Sequence, residues 1–197
     1  MFSGIIEKKT KAIELNKNKN SIILTFARPK KWRLSEGESI CIDGICSTVS
    51  KITSDTFSVY YMSETLSKTH LIFVDGSHEF NLEQSLRLTS LVGGHLVSGH
   101  IDTVGKVVNI SKKEDSSVVK IEIPPEFSRY IIYKGSICVN GVSLTVVNID
   151  KNVFTVSLIP YTLAKTNLGS LKVEDLVNIE VDLLAKYLEK LTKTEKR

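Results

Sequence analysis

The sequence predicts an all-β protein: two tandem, similar antiparallel Greek-key barrels followed by a C-terminal α-helix. Three observations predict it. First, the chain repeats itself: shifted by 97 positions, residues 39–86 of its 197 fall on 136–183 without a gap, and 17 of those 48 positions are identical. Second, short runs rich in β-branched and aromatic residues recur at regular spacing, with turn residues between them. Third, only the end of the chain carries a sustained helical stripe.

In chain order, strands are predicted at 21–26, 39–45, 57–61, 118–123, 136–142 and 154–158. Turn clusters bound them, such as Thr53-Ser54-Asp55 and Asp150-Lys151-Asn152. Strand alternation sends Ile40, Ile42, Ile137 and Val139 to one face, and Cys41 and Asp43 to the other. Strands this short, with no long helix between them, favour closure, because closure removes exposed edges. The lysine- and asparagine-rich stretches 8–11 and 16–20, and the tail 193–197, read as solvated loops and a frayed end. A short helical turn is predicted within 81–91. At the end, Leu184, Tyr187, Leu188 and Leu191 line one stripe of a helix over 183–191. The repeat divides the chain into 1–95, 96–184 and a terminal helix and tail, 185–197; each half has the size of a small domain.

Composition excludes several classes. The formal charge of +4 is mild, and basic and aromatic residues do not interleave as on a nucleic-acid surface. No apolar run reaches the roughly 20 residues that span a bilayer. The N-terminus lacks a charged start followed by an apolar stretch, so no signal peptide is expected. Three cysteines without a CxxC pair predict reduced thiols and a cytoplasmic location. Cys41 and Cys138 hold matching repeat positions and read as small core fillers.

The chemistry-bearing residues cluster at repeated turns. Asp43-Gly44 and Asn140-Gly141 are tight-turn dipeptides. A polar run follows each: Cys46-Ser47-Thr48 and Ser143-Leu144-Thr145. Such runs present hydroxyls, a thiol and backbone groups at a barrel mouth. The polar strand ends Ser63-Glu64-Thr65 and Pro160-Tyr161-Thr162 are placed beside the same mouths. In the junction segment 93–100, His95 and His100 are an odd number of residues apart; on a strand that puts them on opposite faces, and no Cys/His cluster accompanies them, so no metal site is expected. His70 and His78 read as unremarkable residues of a polar loop. No phosphate-binding loop and no dinucleotide fingerprint appear.

At these residues the chain resembles the riboflavin synthases, two-barrel enzymes built from lumazine-binding repeats. The carriers are the opening 1–7, Gly37–Val49, Gly93–Ile101, Lys134–Val146, Ile159–Gly169 and Asn178–Asp182, in order around the internal repeat. The resemblance implies dismutation of two 6,7-dimethyl-8-ribityllumazine molecules. A four-carbon unit passes between them, giving riboflavin and 5-amino-6-ribitylaminouracil, with no cofactor or metal. It also implies a homotrimer assembled partly through C-terminal helices, with two lumazines per site held between barrels of neighbouring subunits. Association with lumazine synthase is left open. No nucleic-acid or membrane partner is implied.

The resemblance also carries site residues. In the first copy these are Gly4, Ile5 and Ile6; Ser39, Ser47 and Thr48; Tyr60, Tyr61 and Met62; and Ser63, Glu64 and Thr65. In the second they are Gly99, His100 and Ile101; Lys134, Leu144 and Thr145; Ile159, Pro160 and Tyr161; and Thr162, Leu163 and Ala164. Residues that differ between copies should assign roles: Cys46 against Ser143, Ile5 against His100, Ser85 against Asp182. Cys46 and His100 are expected to assist addition and proton transfer. Ser143 is placed with them as catalytic, and Asp182 to orient a ribityl hydroxyl or an amide. Other roles stay open: a half-buried spacer for Cys46, a stacking or hydrogen-bonding contact for His100, a helix N-cap for Asp182. The chain departs from its relatives at Ser47, where they carry leucine, and in the linker Ile72–Phe80. Two other classes fit the scaffold less well. A non-catalytic lumazine- or flavin-binding antenna protein would keep one competent site. A flavin reductase would need a nicotinamide domain.

Overall fold

The computed structural model describes residues 1–194. The first half holds β1 (Lys8–Lys11), β2 (Glu14–Asn18), β3 (Ser21–Ala27), β4 (Ser39–Ile42), β5 (Ile45–Ile52), β6 (Thr56–Met62) and β7 (Glu79–Gln84). The second holds β8 (Thr103–Lys113), β9 (Ser116–Glu122), β10 (Ser136–Val139), β11 (Val142–Asp150), β12 (Val153–Leu158) and β13 (Leu176–Val181). Short helices α1 (Ser63–Lys68) and α2 (Pro160–Lys165) follow β6 and β12, and α3 (Leu183–Thr194) ends the described chain.

The second half is a closed antiparallel barrel in the order β10-β11-β12-β9-β8-β13. The first half follows the same plan as a seven-stranded sheet, β1-β7-β4-β5-β6-β3-β2. Its two end strands, β1 and β2, are consecutive in the chain and together take the place of the single long β8. Where β8 runs past both neighbours with a bulge between Val107 and Asn109, the first half breaks its ladder at Ala12-Ile13. Ile13 N still donates to Thr25 O across that seam (2.7 Å).

Alternation builds the two cores. Ile40 and Ile42 enter the first barrel with Phe26, Phe57 and Phe80; Ile137 and Val139 enter the second with Phe154. Each such side chain contributes about 1.5–3 kcal/mol by leaving water. As the alternation predicts, Cys41 and Cys138 point the other way. They pack with Phe2 and Val97 in a small apolar cluster apart from both barrel cores. Burial pushes both thiols well above the ordinary range, which suits fillers rather than nucleophiles.

The halves meet around a pseudo-two-fold axis. The turns Asp43-Gly44 (φ 47° and 83°) and Asn140-Gly141 (φ 45° and 79°) have the positive φ of type I′ hairpins. Asn81 Nδ2 donates to Asn140 O, and Asn178 Nδ2 donates to Asp43 O (both 2.9 Å). His70 N donates to Asn178 Oδ1, and Asn167 N to Asn81 Oδ1 (both 2.8 Å). Phe2 and Val97 exchange backbone hydrogen bonds (2.8 and 3.0 Å).

Several expectations need correction. Stretches 8–11 and 14–18 are strands, not solvated loops; apart from half-buried Leu15, β2 is exposed, so it shows no hydrophobic alternation. Residues 81–84 belong to β7, not a helix: Phe80 and Leu82 fill the barrel while Asn81 and Glu83 bury on the opposite face. Ser63-Glu64-Thr65 and Pro160-Tyr161-Thr162 are the first turns of α1 and α2, not strand ends. In each helix a threonine hydroxyl caps the end: Thr69 Oγ1 donates to Thr65 O (2.8 Å) and Thr166 Oγ1 to Thr162 O (2.7 Å). Six residues are too few to show a helical period. Segment 93–100 is not a strand beyond the single bridge at Val97, so the opposite-face argument for His95 and His100 lapses. Lys193 lies in α3, and 195–197 fall outside the described residues.

No helix among the described residues is long and apolar enough to cross a membrane. Polar contacts attach α3 to the barrel: Lys186 to Asp102 (2.7 Å) and Glu189 to Arg129 (2.8 Å). Its apolar stripe, Leu184, Tyr187, Leu188 and Leu191, stays 61–67% exposed.

Candidate active site

Two short lead segments, Ser3-Gly4 and Ser98-Gly99, build the candidate site. Each is held by a buried glutamate of its own half. Ser3 N, Ser3 Oγ and Gly4 N donate to Glu83 on β7 (2.7, 2.7 and 3.0 Å). Ser98 N, Ser98 Oγ and Gly99 N donate to Glu180 on β13 (2.6, 2.7 and 2.8 Å). Burial raises both carboxyls above the usual range, against the pull of these donors.

Each lead segment then lies on the other half. Cys46 N donates to Gly99 O, and Ser143 N to Gly4 O (both 2.8 Å). The approach is so close that a Cβ on Gly99 would fall 2.6 Å from Cys46 Cβ, and one on Gly4 2.6 Å from Ser143 Cβ. Both glycines have left-handed φ, 82° and 75°, which a side chain would also penalise. Grouping the site by sequence copy is therefore crossed in space. Gly4 seats on Ser143 of the second barrel, and Gly99 on Cys46 of the first.

The first mouth is a cavity of about 230 Å³ where Cys46, Glu64, Thr65, Gly99, His100 and Ile101 converge. It unites Cys46 and His100, which come from different copies. Thr48 is exposed on β5, opposite half-buried Ser39 on β4. Tyr60, Met62 and Ser63 are exposed. Ser47 and Tyr61 instead turn inward and bond to each other (2.6 Å), so the serine that stands where the second copy has Leu144 satisfies a buried phenol. Burial pushes the Tyr61 hydroxyl far up in pKa and keeps it a neutral donor.

The second mouth centres on Ser143. His95 Nδ1 stands 2.7 Å from Ser143 Oγ, a contact that sequence reasoning missed. The repeat could not reveal it, because the counterpart of His95 would precede Met1. Ile5 is exposed, and Ile6 packs on the second core. Thr145, Ile159, Pro160, Tyr161 and Ala164 are exposed, while Thr162 and Leu163 are half-buried on α2 and Leu144 is buried. Lys134 is exposed at a left-handed turn (φ 63°), its N–H donating to Val146 O. Asp182 Oδ1 accepts from Leu184 N (2.9 Å), so it does cap α3. Its charge also reaches His95.

Burial lowers the His95 pKa below the ordinary 6.5, and Asp182 opposes this only partly. His95 thus favours the neutral imidazole at pH 7, in which one ring nitrogen donates and the other accepts. Its NMR titration midpoint is expected below 6.5, and lower still in Asp182→Asn. A midpoint at or above 6.5 would contradict this burial argument. A histidine depressed in this way withdraws stability as pH falls through the unfolded-state value.

His70 and His78 are not unremarkable loop residues. His70 is 3% exposed, and His78 Nε2 stands 2.7 Å from the fully buried Asp43 Oδ2.

A family model for the lumazine binding domain matches residues 3–85 and again 98–182. The chain is 40% identical to the riboflavin synthase of Actinobacillus pleuropneumoniae over 96% of its own length and 88% of that protein's. It is 38% identical to that of Mycobacterium tuberculosis, over 98% and 99%. Among solved structures, LumP complexed with riboflavin superposes with a TM-score of 0.85 at 26% identity, covering 92% of this chain and 99% of that one. LumP complexed with 6,7-dimethyl-8-(1'-D-ribityl) lumazine gives 0.82 over the same shares.

Proposed function

The chain belongs to the riboflavin synthase family, and from that premise we propose that it converts two 6,7-dimethyl-8-ribityllumazine molecules into riboflavin and 5-amino-6-ribitylaminouracil. One observation carries the reading. A single chain holds two mouths of one plan that differ in their reactive groups, Cys46 with His100 in one and Ser143 with His95 in the other. A reaction between two copies of one molecule, one donating four carbons and the other accepting them, needs like grips and unlike chemistry.

The substrate does much of the work. Its 7-methyl protons are acidic because the carbanion spreads into the ring. The protein must hold two rings in register, and proximity alone supplies about 7–11 kcal/mol. Backbone groups at the paired mouths grip the rings; Cys46 and His100 assist addition and proton transfer. Asp182, fixed as the cap of α3, tunes His95 and orients a ribityl hydroxyl. The uncovered stripe of α3 supports a homotrimer, in which the mouth of one subunit faces the opposite mouth of the next. The reading includes a cytoplasmic location and leaves room for association with lumazine synthase.

Incubating the chain with the lumazine alone tests the reaction. Riboflavin should appear at half the rate of lumazine loss, with nothing else added. A second reading, a lumazine or flavin carrier, draws support from the likeness to LumP. Tight binding with an unchanged lumazine spectrum would establish it instead. Cys46→Ser and His100→Gln should each lower turnover about tenfold or more. If both stay within about threefold of the parent, the assigned roles are wrong.

A further inference from the structure

The turn that ends β4 places Asp43 at the centre of a second cluster, with His70 and His78, that shares no residue with the lining of the first mouth. Its carboxylate is fully buried. Oδ1 accepts from Asn81 N (2.8 Å) and Asn167 Nδ2 (2.9 Å). Oδ2 faces two imidazoles: His78 Nε2 at 2.7 Å and His70 Nε2 at 3.3 Å. The His70 nitrogen is buried, and the contact with that oxygen falls outside hydrogen-bond geometry. The three ligand-type atoms lie within 4.8 Å of one another. His78, about a quarter exposed, opens the cluster onto a cavity of roughly 740 Å³ that Glu174 and Asp175 also line.

The internal repeat serves as a control. Ninety-seven positions on, Asp43, His70 and His78 become Asn140, Asn167 and Asp175. Around the axis the second copy makes the same backbone contacts with amides alone: Asn178 N donates to Asn140 Oδ1 (2.7 Å), as Asn81 N does to Asp43. The fold therefore does not need imidazoles here. The first copy has placed a carboxylate and two histidines where neutral amides and one acid suffice. A buried imidazole nitrogen held only by so poorly aligned a contact costs stability unless something uses it.

We propose that Asp43, His70 and His78 form a binding site for a divalent transition metal, with zinc the best match. Two imidazole Nε2 atoms and one carboxylate oxygen are a frequent three-residue zinc set, with the fourth position facing solvent. Here that position faces the cavity. Asn81 and Asn167 supply the outer contacts, holding the far carboxylate oxygen and fixing its direction. The ion would join the β4–β5 turn to the start of the His70–Phe73 turn and to the residue that precedes β7, locking the first half at the axis. It plays no part in the proposed lumazine chemistry and does not depend on that reading.

The experiment uses the full chain, stripped with a chelator and titrated with Zn²⁺ alone. One equivalent should bind, raising the thermal midpoint by about 5–10 °C at a hundredfold excess over Kd. His70→Asn and Asp43→Asn copy the residues of the second half, so both should fold. Each should lose at least about a hundredfold in zinc affinity, a loss comparable to disturbing a metal's immediate surroundings. Four-coordinate visible bands on Co²⁺ loading should appear in the parent and vanish in both variants. A parent chain that binds no equivalent, or variants that bind as tightly as the parent, would overturn the proposal.

Discussion

Replacing Glu180 by alanine is expected to cost about 3–5 kcal/mol of stability. Three buried donors, Ser98 N, Ser98 Oγ and Gly99 N, would lose their acceptor at once. Each orphaned donor costs about 1–3 kcal/mol, and water cannot easily replace a carboxylate that is only 1% exposed. For a chain of this size the thermal midpoint should fall by roughly 10 °C, at about 2–4 °C per kcal/mol. Glu180→Gln should lose less, because one oxygen remains to accept while the amide group opposes a donor. Glu83→Ala should repeat the effect through Ser3 and Gly4. A midpoint within about 2 °C of the parent would show that the lead segments are held by something other than these glutamates.

Gly99→Ala is expected to lower turnover by about a hundredfold or more. Its new Cβ would sit 2.6 Å from Cys46 Cβ and 2.7 Å from Cys46 N. Neither neighbour is the far end of a flexible side chain, so the lead segment or the β4–β5 hairpin must move. In the proposed mechanism Cys46 and His100 then lose register, and a displacement of about 1 Å costs on the order of a hundredfold. Gly37→Ala supplies the control. It has the same left-handed φ, 86°, but a Cβ there meets nothing within 4 Å. It should show the backbone strain, about 1–2 kcal/mol, without the loss of rate. Equal turnover in the two variants would detach Gly99 from the site.

The repeat made much of the architecture legible, because its 97-residue offset exposed paired turns, paired strands and paired polar runs. Strands buried on a barrel face, such as β3 and β12, declared themselves through β-branched and aromatic residues. β1 and β2 did not, since Lys8, Lys11, Asn16 and Lys17 face solvent and carry no alternation. α1 and α2 were too short for a period to form. The candidate site was legible residue by residue but not in its assembly. A repeat says which residues correspond, and it is silent on a crossing in which Gly99 serves Cys46 and Gly4 serves Ser143. His95 escaped for a related reason, having no counterpart, and His70 and His78 escaped because Asp43 is distant in sequence.

The interrupted first strand separates the two halves in how they can yield. The second barrel is a hoop of continuous staves, and to widen it a full hydrogen-bonded ladder must part. The first has a joint at Ala12-Ile13, where the edge passes from pairing with β7 to pairing with β3 and a single backbone bond bridges the break. Its amides near β1 and β2 should exchange with solvent before any in the matching stretch of β8. Of two halves drawn to one plan, the one that carries Cys46 has an interrupted outline, while its twin is closed.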